Sequence, residues 1–522
     1  MSKYFSYLNR DIPASIVVFL VALPLCLGIA LASGAPLLSG LISGIIGGIV
    51  IGLLSKSDLS VSGPAAGLVV IVLNAVDTLG TYEAFLVAVV LAGVIQLVLG
   101  FMKAGVIGLY FPSSVIKGML AAIGLILIMK QLPHLVGFDT EAFTAEANMT
   151  QADGANMLAP VLSSFNHMVI GSLIIGVFSL LFLIVWSRPI ITNNKFLKQI
   201  PGGVVVVIMG VVINSLFKQF YPSLAISPSH LVSIPVIGSM AEMSEALRLP
   251  DFQILTNLNV YVTAMTLAIV ASLETLLCIE AVDKMDPEKR RTPQNTELKA
   301  QGVGNIVSGL IGGLPITSVI VRSSTNLGAG AKTKMSAVFH GIFLLLAVVA
   351  VPTIMNLIPL ASLAAILIMV GFKLTKPALY RAQMALGKEQ FIPFVVTVVS
   401  ILFTDLLVGI LIGMAVAVFY ILRDNYKVPY YLDHGPSTNG DGSQQIRIQL
   451  SEHVSFLNKA SLLSKLEGIP SNSEVELDGS RAKSIDHDAL EVIHNFQIEA
   501  REKQIKFSMK NIPDIKNGNG AS

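Results

Sequence analysis

Cysteine and charge are the two features that this sequence has little of. The 522 residues include only two cysteines, Cys26 and Cys278, and both lie inside apolar runs. Neither a disulfide framework nor a CxxC metal site can be built from them. Charged residues make up 13% of the chain, about half the share of an average soluble domain. A chain of this length with so few charges cannot face water on all sides, so we expect the lipid bilayer to be its solvent.

An excess of one charge sign is also missing. The net charge is +2, which gives no compositional support to nucleic acid as a partner. The sequence contains no HExxH, GxSxG or P-loop motif and no histidine cluster, so a membrane enzyme is disfavoured. We therefore expect no enzymatic activity, no cofactor and no metal.

Apolar residues are abundant: they make up 53% of the chain and recur in long runs. The polar start Met1–Asp11 lacks a cleavage-type signal, so the first run is read as a retained span. A helix needs about 20 apolar residues to cross a bilayer. The pattern predicts about fourteen segments, at 12–36, 36–55, 60–76, 83–102, 112–132, 164–187, 199–219, 258–280, 295–312, 315–328, 333–355, 358–372, 390–405 and 406–423.

The distribution of Lys and Arg predicts the orientation. The even-numbered connections are basic, whereas the long connection 133–163 carries four acidic residues and no Lys or Arg. Cytoplasmic connections carry the excess of positive charge. We therefore expect a multi-pass protein of the inner (plasma) membrane with both termini in the cytoplasm.

The two halves of the membrane part resemble one another. A short segment begins near Ser62-Gly63-Pro64 in the first half and another near Leu314-Pro315-Ile316 in the second, about 250 residues later. Repeats of seven spans must be inverted in the membrane, and short Pro-interrupted segments at matching places point to a midplane substrate site. The predicted fold is an all-α polytopic membrane protein with repeat one at about 1–220 and repeat two at about 255–425.

Glycines at positions 40, 44, 48 and 52 are spaced four residues apart. This spacing places them on one face of the second segment, where small residues let another helix approach closely. We interpret this face as a packing seam without a chemical role.

The two short segments predict an anion site made of backbone groups. A half-helix that begins inside the membrane leaves its first N–H groups unpaired and places partial positive charge there. Two such helix starts would form a cradle for a compact inorganic anion. The predicted anion-binding residues are Pro64, Ala65, Ala66, Gly67, Thr317, Ser318, Val319 and Arg322.

Two charged residues lie deep in apolar segments, Glu274 and Arg322. Charges at such a depth are expensive and usually functional. Arg322 would supply fixed positive charge to the cradle, and Glu274 is the candidate coupling residue. A static ion pair between the two is the alternative. His340, Asp405 and Lys130 border apolar runs and are read as structural.

Several motifs in chain order resemble the SulP sulfate permease family. They are Leu23-Pro24, 32–36 (ASGAP), 62–66 (SGPAA), 295–302 (NTELKAQG), 312–315 (GGLP), Arg322-Ser323 and 330–333 (GAKT). The resemblance implies a fold similar to uracil permease, with seven plus seven inverted segments in a core and a gate domain. It also implies transport of sulfate, bicarbonate, chloride or related anions, with the substrate between the third and tenth segments, facing the first and eighth. On this chain those positions map onto 64–67, 317–322 and Glu274.

The sequence departs from the family pattern at two places. Residues 25–29 (LCLGI) replace the Gln-Gly and aromatic of many members, which puts a side-chain contact from the first segment in doubt. Sodium-coupled bicarbonate members use an Asp and a Thr one turn apart on segment eight, where this chain has Glu274 and Cys278. The difference weakens a sodium site and leaves proton coupling open.

The polar end of the chain resembles a shortened STAS domain. Residues 430–522 contain 23 charged side chains, against 45 in residues 1–429. The pattern predicts a transport domain at 1–429, a linker at 430–445, a STAS-like β-α-β-α-β domain at 446–513 and a disordered tail at 514–522. A serine that could be phosphorylated is missing from 486–489 (DHDA), so we expect a dimerising or regulatory module and a homodimer.

The leading functional hypothesis is a secondary active transporter of a small inorganic anion, sulfate or bicarbonate, that is coupled to protons or exchanges anions. A sodium-dependent bicarbonate transporter and a passive anion channel or exchanger remain open. A nucleobase permease is disfavoured because Arg322 would lie in a cradle meant for a neutral ring. The sequence does not choose the anion or the coupling ion.

Overall fold

The structure is a computed structural model that describes residues 6–105, 111–138, 168–188, 200–236, 247–404, 406–427, 430–433, 445–454 and 458–513. Asp405, the predicted tail 514–522 and most of the acidic connection 133–163 lie outside these ranges. The chain divides into two compact units, Met1–Met414 and Ala415–Ser522. The first consists of helices and two short strands in its described residues, and the second contains the mixed α/β region.

Each of the fourteen predicted apolar segments coincides with a helix. Within the described residues, eight helical segments are long and apolar enough to cross a membrane, with mean hydropathies of 1.5 to 2.7. The all-α polytopic prediction is therefore confirmed. The helices that match the predicted segments are α1 (Leu8–Ala32), α2 (Leu37–Leu54), α3 (Ala66–Leu79), α4 (Tyr82–Phe101), α5 (Ser113–Leu135), α6 (Ile170–Trp186), α7 (Gly202–Phe220), α8 (Leu258–Met285), α9 (Gln294–Leu310), α10 (Ile320–Gly328), α11 (Met335–Ala350), α12 (Leu360–Leu374), α13 (Lys388–Phe403) and α14 (Leu406–Lys427). Two shorter helices, Pro352–Met355 and Pro377–Ala385, follow α11 and α12.

The short helices α3 and α10 are each preceded by a strand. β1 is Ser62–Pro64 and β2 is Ile316–Ser318. They pair antiparallel, with Gly63 opposite Thr317. The prolines at 64 and 315 favour this geometry, because a residue before proline is pushed toward extended backbone. Matching strands that run antiparallel agree with two halves inverted relative to one another.

The glycine face of α2 is confirmed as a packing seam. A Cβ atom added to Gly44 would lie 2.6 Å from the Cys26 sulfur of α1. One added to Gly48 would lie 2.6 Å from the Cα of Gly341 of α11. The backbone of α2 thus lies directly against two other helices, which a larger side chain would separate.

The second unit is built on a four-stranded sheet with the spatial order β3 (Tyr430–Asp433), β4 (Gln445–Leu450), β6 (Glu474–Asp478) and β8 (Lys506–Lys510). Its core contains Ile448, Leu462, Val475 and Ile493. The described residues confirm the predicted β-α-β-α-β order with strands β4, β6 and β8 parallel to one another. The elements are β3 (Tyr430–Asp433), β4 (Gln445–Leu450), β5 (His453–Val454), α15 (Lys459–Glu467), β6 (Glu474–Asp478), β7 (Ser484–Ile485), α16 (His487–Glu502) and β8 (Lys506–Lys510).

The structure differs from the predicted linker at its beginning. Residues 430–433 form strand β3, which pairs antiparallel with β4. Tyr430 and Tyr431 are of a residue type that favours strands. The linker prediction rests on the change in charge content, which does not detect this preference. The remainder of the linker, 434–444, lies outside the described residues.

Buried Asp11 joins the start of α1 to the α10–α11 connection. Its carboxylate accepts hydrogen bonds from the backbone N–H groups of Lys332 (2.7 Å) and Thr333 (3.1 Å) and from the Thr333 hydroxyl (2.5 Å). Arg290, in the α8–α9 connection, donates to the Lys332 carbonyl (2.9 Å) and pairs with Asp58 (3.1 Å). These bonds bring three connections together at the end of the unit where α1 begins.

Replacing Asp11 with alanine should destabilise the first unit by about 2–6 kcal/mol, because two backbone donors lose their buried acceptor and each costs about 1–3 kcal/mol. Thermal unfolding of the detergent-solubilised protein measures the change. Glu280→Ala is the matched control, since Glu280 forms a half-exposed i,i+4 pair with Lys284 that contributes under about 1 kcal/mol. Equal unfolding temperatures for the two variants would contradict this role of Asp11.

Candidate anion site at the strand crossover

The structure brings the predicted anion-binding residues together where β1 and β2 cross. Pro64 ends β1, Ala65 has extended backbone, and a tight helical turn begins at Ala66 and Gly67. Across the pair, Thr317 and Ser318 lie in β2, and Val319 leads into α10 with φ −116° and ψ 116°. Two helix starts therefore leave the same strand pair.

The hydrogen bonds of the crossover decide which backbone amides a ligand could use. The Ser318 N–H donates to the Thr275 hydroxyl (3.2 Å), and the Val319 N–H donates to the Val61 carbonyl (3.0 Å). The first helical bond of α10 runs from the Ser323 N–H to the Val319 carbonyl (3.0 Å). The backbone amides that this helix start can offer to a ligand are therefore those of residues 320–322. They begin one residue after the predicted stretch 317–319.

Arg322 is fully buried in the first turn of α10. Its Nη2 donates to the Cys26 sulfur at 3.3 Å. Nε and Nη1 have no hydrogen-bond partner among the described residues. A Cβ atom on Gly63 would lie 2.1 Å from Nη1, so the guanidinium lies against β1. A buried guanidinium with unpaired donors is costly, and an anion is the ligand that would satisfy it.

Glu274 of α8 lies at the other helix start. The Gly67 backbone amide interacts electrostatically with its carboxylate. A Cβ atom on Gly67 would lie 2.7 Å from Oε2 and 2.8 Å from Oε1. Oε2 is buried and has no partner in the described part of the chain. The carboxylate therefore occupies the N-terminus of α3, where a helix attracts negative charge.

Glu274 and Arg322 do not form the ion pair that the sequence left as an alternative. Arg322 contacts Gly63, Glu274 contacts Gly67, and the atoms Oε2 and Nη1 remain unpaired within the described ranges. Opposite charges therefore flank the stretch 63–67 without touching. An anion bound along this stretch would be attracted at the arginine end and repelled at the glutamate end.

A buried polar network holds the crossover in place. Asn305 accepts from the Ile316 N–H (2.6 Å) and donates to the Gln96 side chain (2.7 Å). Gln301 donates to the Ser62 hydroxyl (2.8 Å) and to Glu297 (2.9 Å). The network continues through hydrogen bonds that join Ser55 to Glu297, Ser60 to Ser318, and Ser318 to Cys278.

Sequence reasoning missed this network, although α9 carried a signal for it. Glu297, Gln301, Asn305 and Ser308 follow a spacing of four, four and three, which places them on one helix face. All four are buried. A polar stripe inside an apolar segment indicates a buried hydrogen-bonded interface, and here that interface is the crossover.

Lys130 and His340, which the sequence analysis reads as structural, both lie in described helices. Lys130 of α5 interacts electrostatically with Asp77 of α3. His340 of α11 is fully buried, and its imidazole interacts electrostatically with the Arg322 guanidinium. In the ranges that the structure describes, no three His, Cys, Asp or Glu side chains are grouped closely enough to hold a metal ion.

Comparisons with known proteins agree with this architecture. A model of the sulfate permease family matches residues 8–420. The Bacillus subtilis protein YvdB, provisionally assigned to sulfate transport, is 26% identical over 417 residues, which cover 80% of this chain and 74% of that protein. The bicarbonate transporter BicA of Picosynechococcus is 25% identical over 424 residues, 79% of this chain and 70% of that protein.

The solved structure of the murine anion transporter Slc26a9 in its inward-facing state is similar in fold. The TM-score is 0.73 at 16% sequence identity, and the alignment covers 97% of this chain and 86% of that one. At this identity the likeness establishes the fold.

Replacing Arg322 with alanine removes the guanidinium that would bind the anion and should weaken anion binding at least about tenfold. A tenfold weaker affinity corresponds to a loss of about 1.4 kcal/mol of binding free energy. Lysine should restore binding only in part, since it returns the charge without the planar fork. Arg248→Ala is the control, because Arg248 is an exposed partner of Glu83. Anion binding by purified protein, at matched monodispersity, measures the effect. Unchanged affinity in the alanine variant would remove Arg322 from the site.

Proposed function

The chain belongs to the sulfate permease family, and from that premise we propose that it is a secondary active transporter of a small inorganic anion, of the sulfate or bicarbonate class, that works by alternating access. The family consists of membrane transporters of inorganic anions, and relatives of this chain are assigned to sulfate and bicarbonate. The observation that carries the proposal is the crossover, where two helix starts meet beside an unpaired buried guanidinium.

The proposed site suits a compact anion. One wall is formed by Pro64, Ala65, Ala66 and Gly67 and the other by Thr317, Ser318, Val319 and Arg322. These side chains are small apart from the arginine, so backbone dipoles and one fixed charge provide the binding. Helix N-termini recognise sulfate, phosphate and carboxylate groups in this way. The bonds of Ser318 and Val319 assign them a supporting role, with the amides of 320–322 as the donors.

We propose that the coupling ion is a proton and that Glu274 carries it. A sodium ion needs several oxygen ligands, and the hydroxyl groups nearest Glu274 on α8 are already bonded. Thr275 accepts from the Ser318 N–H, and Ser272 accepts from Gln96. Cys278, one turn further on, offers a thiol in place of an oxygen. Sodium-dependent bicarbonate transport remains the alternative, together with a passive channel or exchanger.

Charge placement supports the proposed orientation in the inner (plasma) membrane. Arg10 begins α1, and the connections that contain Arg290 and Lys332 meet at the same end through Asp11. Positive connections favour the cytoplasm. Both termini would therefore be cytoplasmic, since an even number of segments returns the chain to the side where it starts.

We propose that residues 1–429 form the transport domain and that 446–513 form a STAS-like module that supports a homodimer. The second unit has its own hydrophobic core of fourteen buried residues. A self-contained core is what a separate regulatory or dimerising module requires.

Transport is tested by uptake of labelled sulfate and bicarbonate into proteoliposomes. We expect uptake of one of these anions in sodium-free buffer, accelerated several-fold by an inward proton gradient. The membrane potential is clamped, so that a passive channel would show flux that follows the anion gradient alone. Uptake that requires sodium and ignores the pH step would replace the proton with sodium, and uptake of neither anion would overturn the proposed function.

Deleting residues 436–522 should leave a membrane unit that inserts and binds the anion, with altered transport rate or dimer stability. The crossover and the network that supports it lie between residues 55 and 323, so the tail supplies none of the groups argued to bind. Anion affinity and oligomeric mass of the truncated and full-length proteins are compared. A well-inserted truncation that has lost anion binding would contradict this division.

A further inference from the structure

We infer that Glu274 is a tethered competitor of the transported anion: its carboxylate lies at the N-terminus of α3, where the anion would bind, and the anion must displace it. This inference rests on the proposed function and deepens it, because it fixes the order in which proton and anion bind.

The position of the carboxylate carries the inference. It lies at a helix start against Gly67, 2.7 to 2.9 Å from where a Cβ atom of that residue would be, and its Oε2 has no partner in the described residues. A carboxylate and a small oxyanion present the same chemistry to a helix N-terminus, namely negative oxygen atoms facing N–H donors. Glu274 is therefore a chemical substitute for the ligand that the crossover is built to hold.

The space at Gly67 does not admit both groups. A single added Cβ atom would already lie 2.7 to 2.9 Å from three atoms of the carboxyl group. A sulfate or bicarbonate ion that approaches the Gly67 amide is larger than one carbon atom. Substrate binding at this helix start therefore requires the Glu274 side chain to move away.

No cation pairs with the Glu274 carboxylate within the described residues. The cations on its own helix and on those packed against it contact other groups: Arg322 lies against Gly63 and Cys26, Lys299 lies over the Phe101 ring, and Lys284 pairs with Glu280. The acidic groups and the thiol are bonded elsewhere: Glu297 to Ser55 and Gln301, Asp77 to Lys130, Glu83 to Arg248, Asp283 to Thr292, and Cys278 to Ser318. The attraction that holds the carboxylate in place is therefore the amide and dipole of α3.

Protonation is the event that releases the carboxyl group. A neutral carboxyl loses its charge attraction to the helix N-terminus, whereas an ionised one keeps it. The anion then enters the vacated position while Glu274 keeps the proton, so one proton and one anion cross together. When the anion leaves, the carboxyl loses its proton and returns to Gly67.

Competition of this kind predicts a specific pH dependence. The apparent dissociation constant equals the intrinsic one divided by the fraction of molecules that can bind. Above the pH at which Glu274 ionises, that fraction falls about tenfold per pH unit, and anion affinity falls with it. In Glu274→Gln the side chain is neutral at every pH, so affinity should be independent of pH and at least about tenfold tighter than wild type at high pH.

The test is anion binding to the full-length protein in detergent between pH 5 and 9, measured by titration calorimetry. Sulfate is the first probe because its charge is constant over this range, and bicarbonate between pH 7 and 9 is used if uptake identifies it as the substrate. Glu280→Gln, a change of an acid near the end of the same helix, should follow wild type. Glu274→Asp shortens the tether by one methylene and should weaken the competition while it keeps the charge.

The possible results distinguish competition by Glu274 from the proposed transport function. A pH-independent and tighter Glu274→Gln, with Glu274→Asp between it and wild type, supports the tether. Wild-type affinity and pH slope in a folded Glu274→Gln or Glu274→Asp would overturn the tether and leave the transport function standing. Weaker anion binding in the glutamine variant would also overturn it, because Glu274 would then assist the anion. Wild-type protein that binds neither anion at any pH would overturn the proposed function itself.

Discussion

The antiparallel pairing of β1 with β2 is the interaction on which the rest of the first unit depends. Three residues from each half form this pair, with Gly63 opposite Thr317. The pairing satisfies backbone groups that would otherwise be exposed inside the membrane, where each unpaired group costs several kcal/mol. It also fixes where α3 and α10 begin, and hence where two sets of helix-start amides meet.

A strand pair inside an apolar unit needs polar support, and α9 supplies it. Asn305 bonds the backbone of β2 and Gln301 bonds Ser62 of β1. Glycines then let the surrounding groups come close: a Cβ atom would lie 2.1 Å from the Arg322 Nη1 at Gly63 and 2.7 Å from the Glu274 Oε2 at Gly67. A substitution at either glycine would therefore move a charged side chain and disturb the proposed anion site as well as the packing.

Much of this could be predicted from the sequence, for identifiable reasons. The helices follow from apolar run lengths, and the places of the two short segments follow from Pro64 and Pro315 at matching positions in the two halves. The pairing of β1 with β2 is not predicted from the sequence, because the two strands come from different halves of the chain. The positions of the charges within the site could not be predicted. Spacing along α8 and α10 shows that Glu274 and Arg322 are deep, but which glycine each side chain contacts depends on how the helices cross. The bonds that engage the Ser318 and Val319 amides are likewise tertiary, because their partners Thr275 and Val61 lie on other segments.

We place the anion between the starts of helices α3 and α10, and an anion-bound structure tests that placement most directly. Crystals or particles prepared with selenate in place of sulfate, or with bicarbonate if uptake selects it, would reveal the bound oxyanion. The account predicts density within hydrogen-bond distance of the amides of Gly67 and of residues 320–322, near the Arg322 guanidinium, with the Glu274 side chain turned away from Gly67. An anion bound elsewhere in the membrane unit, with Glu274 still against Gly67, would contradict it.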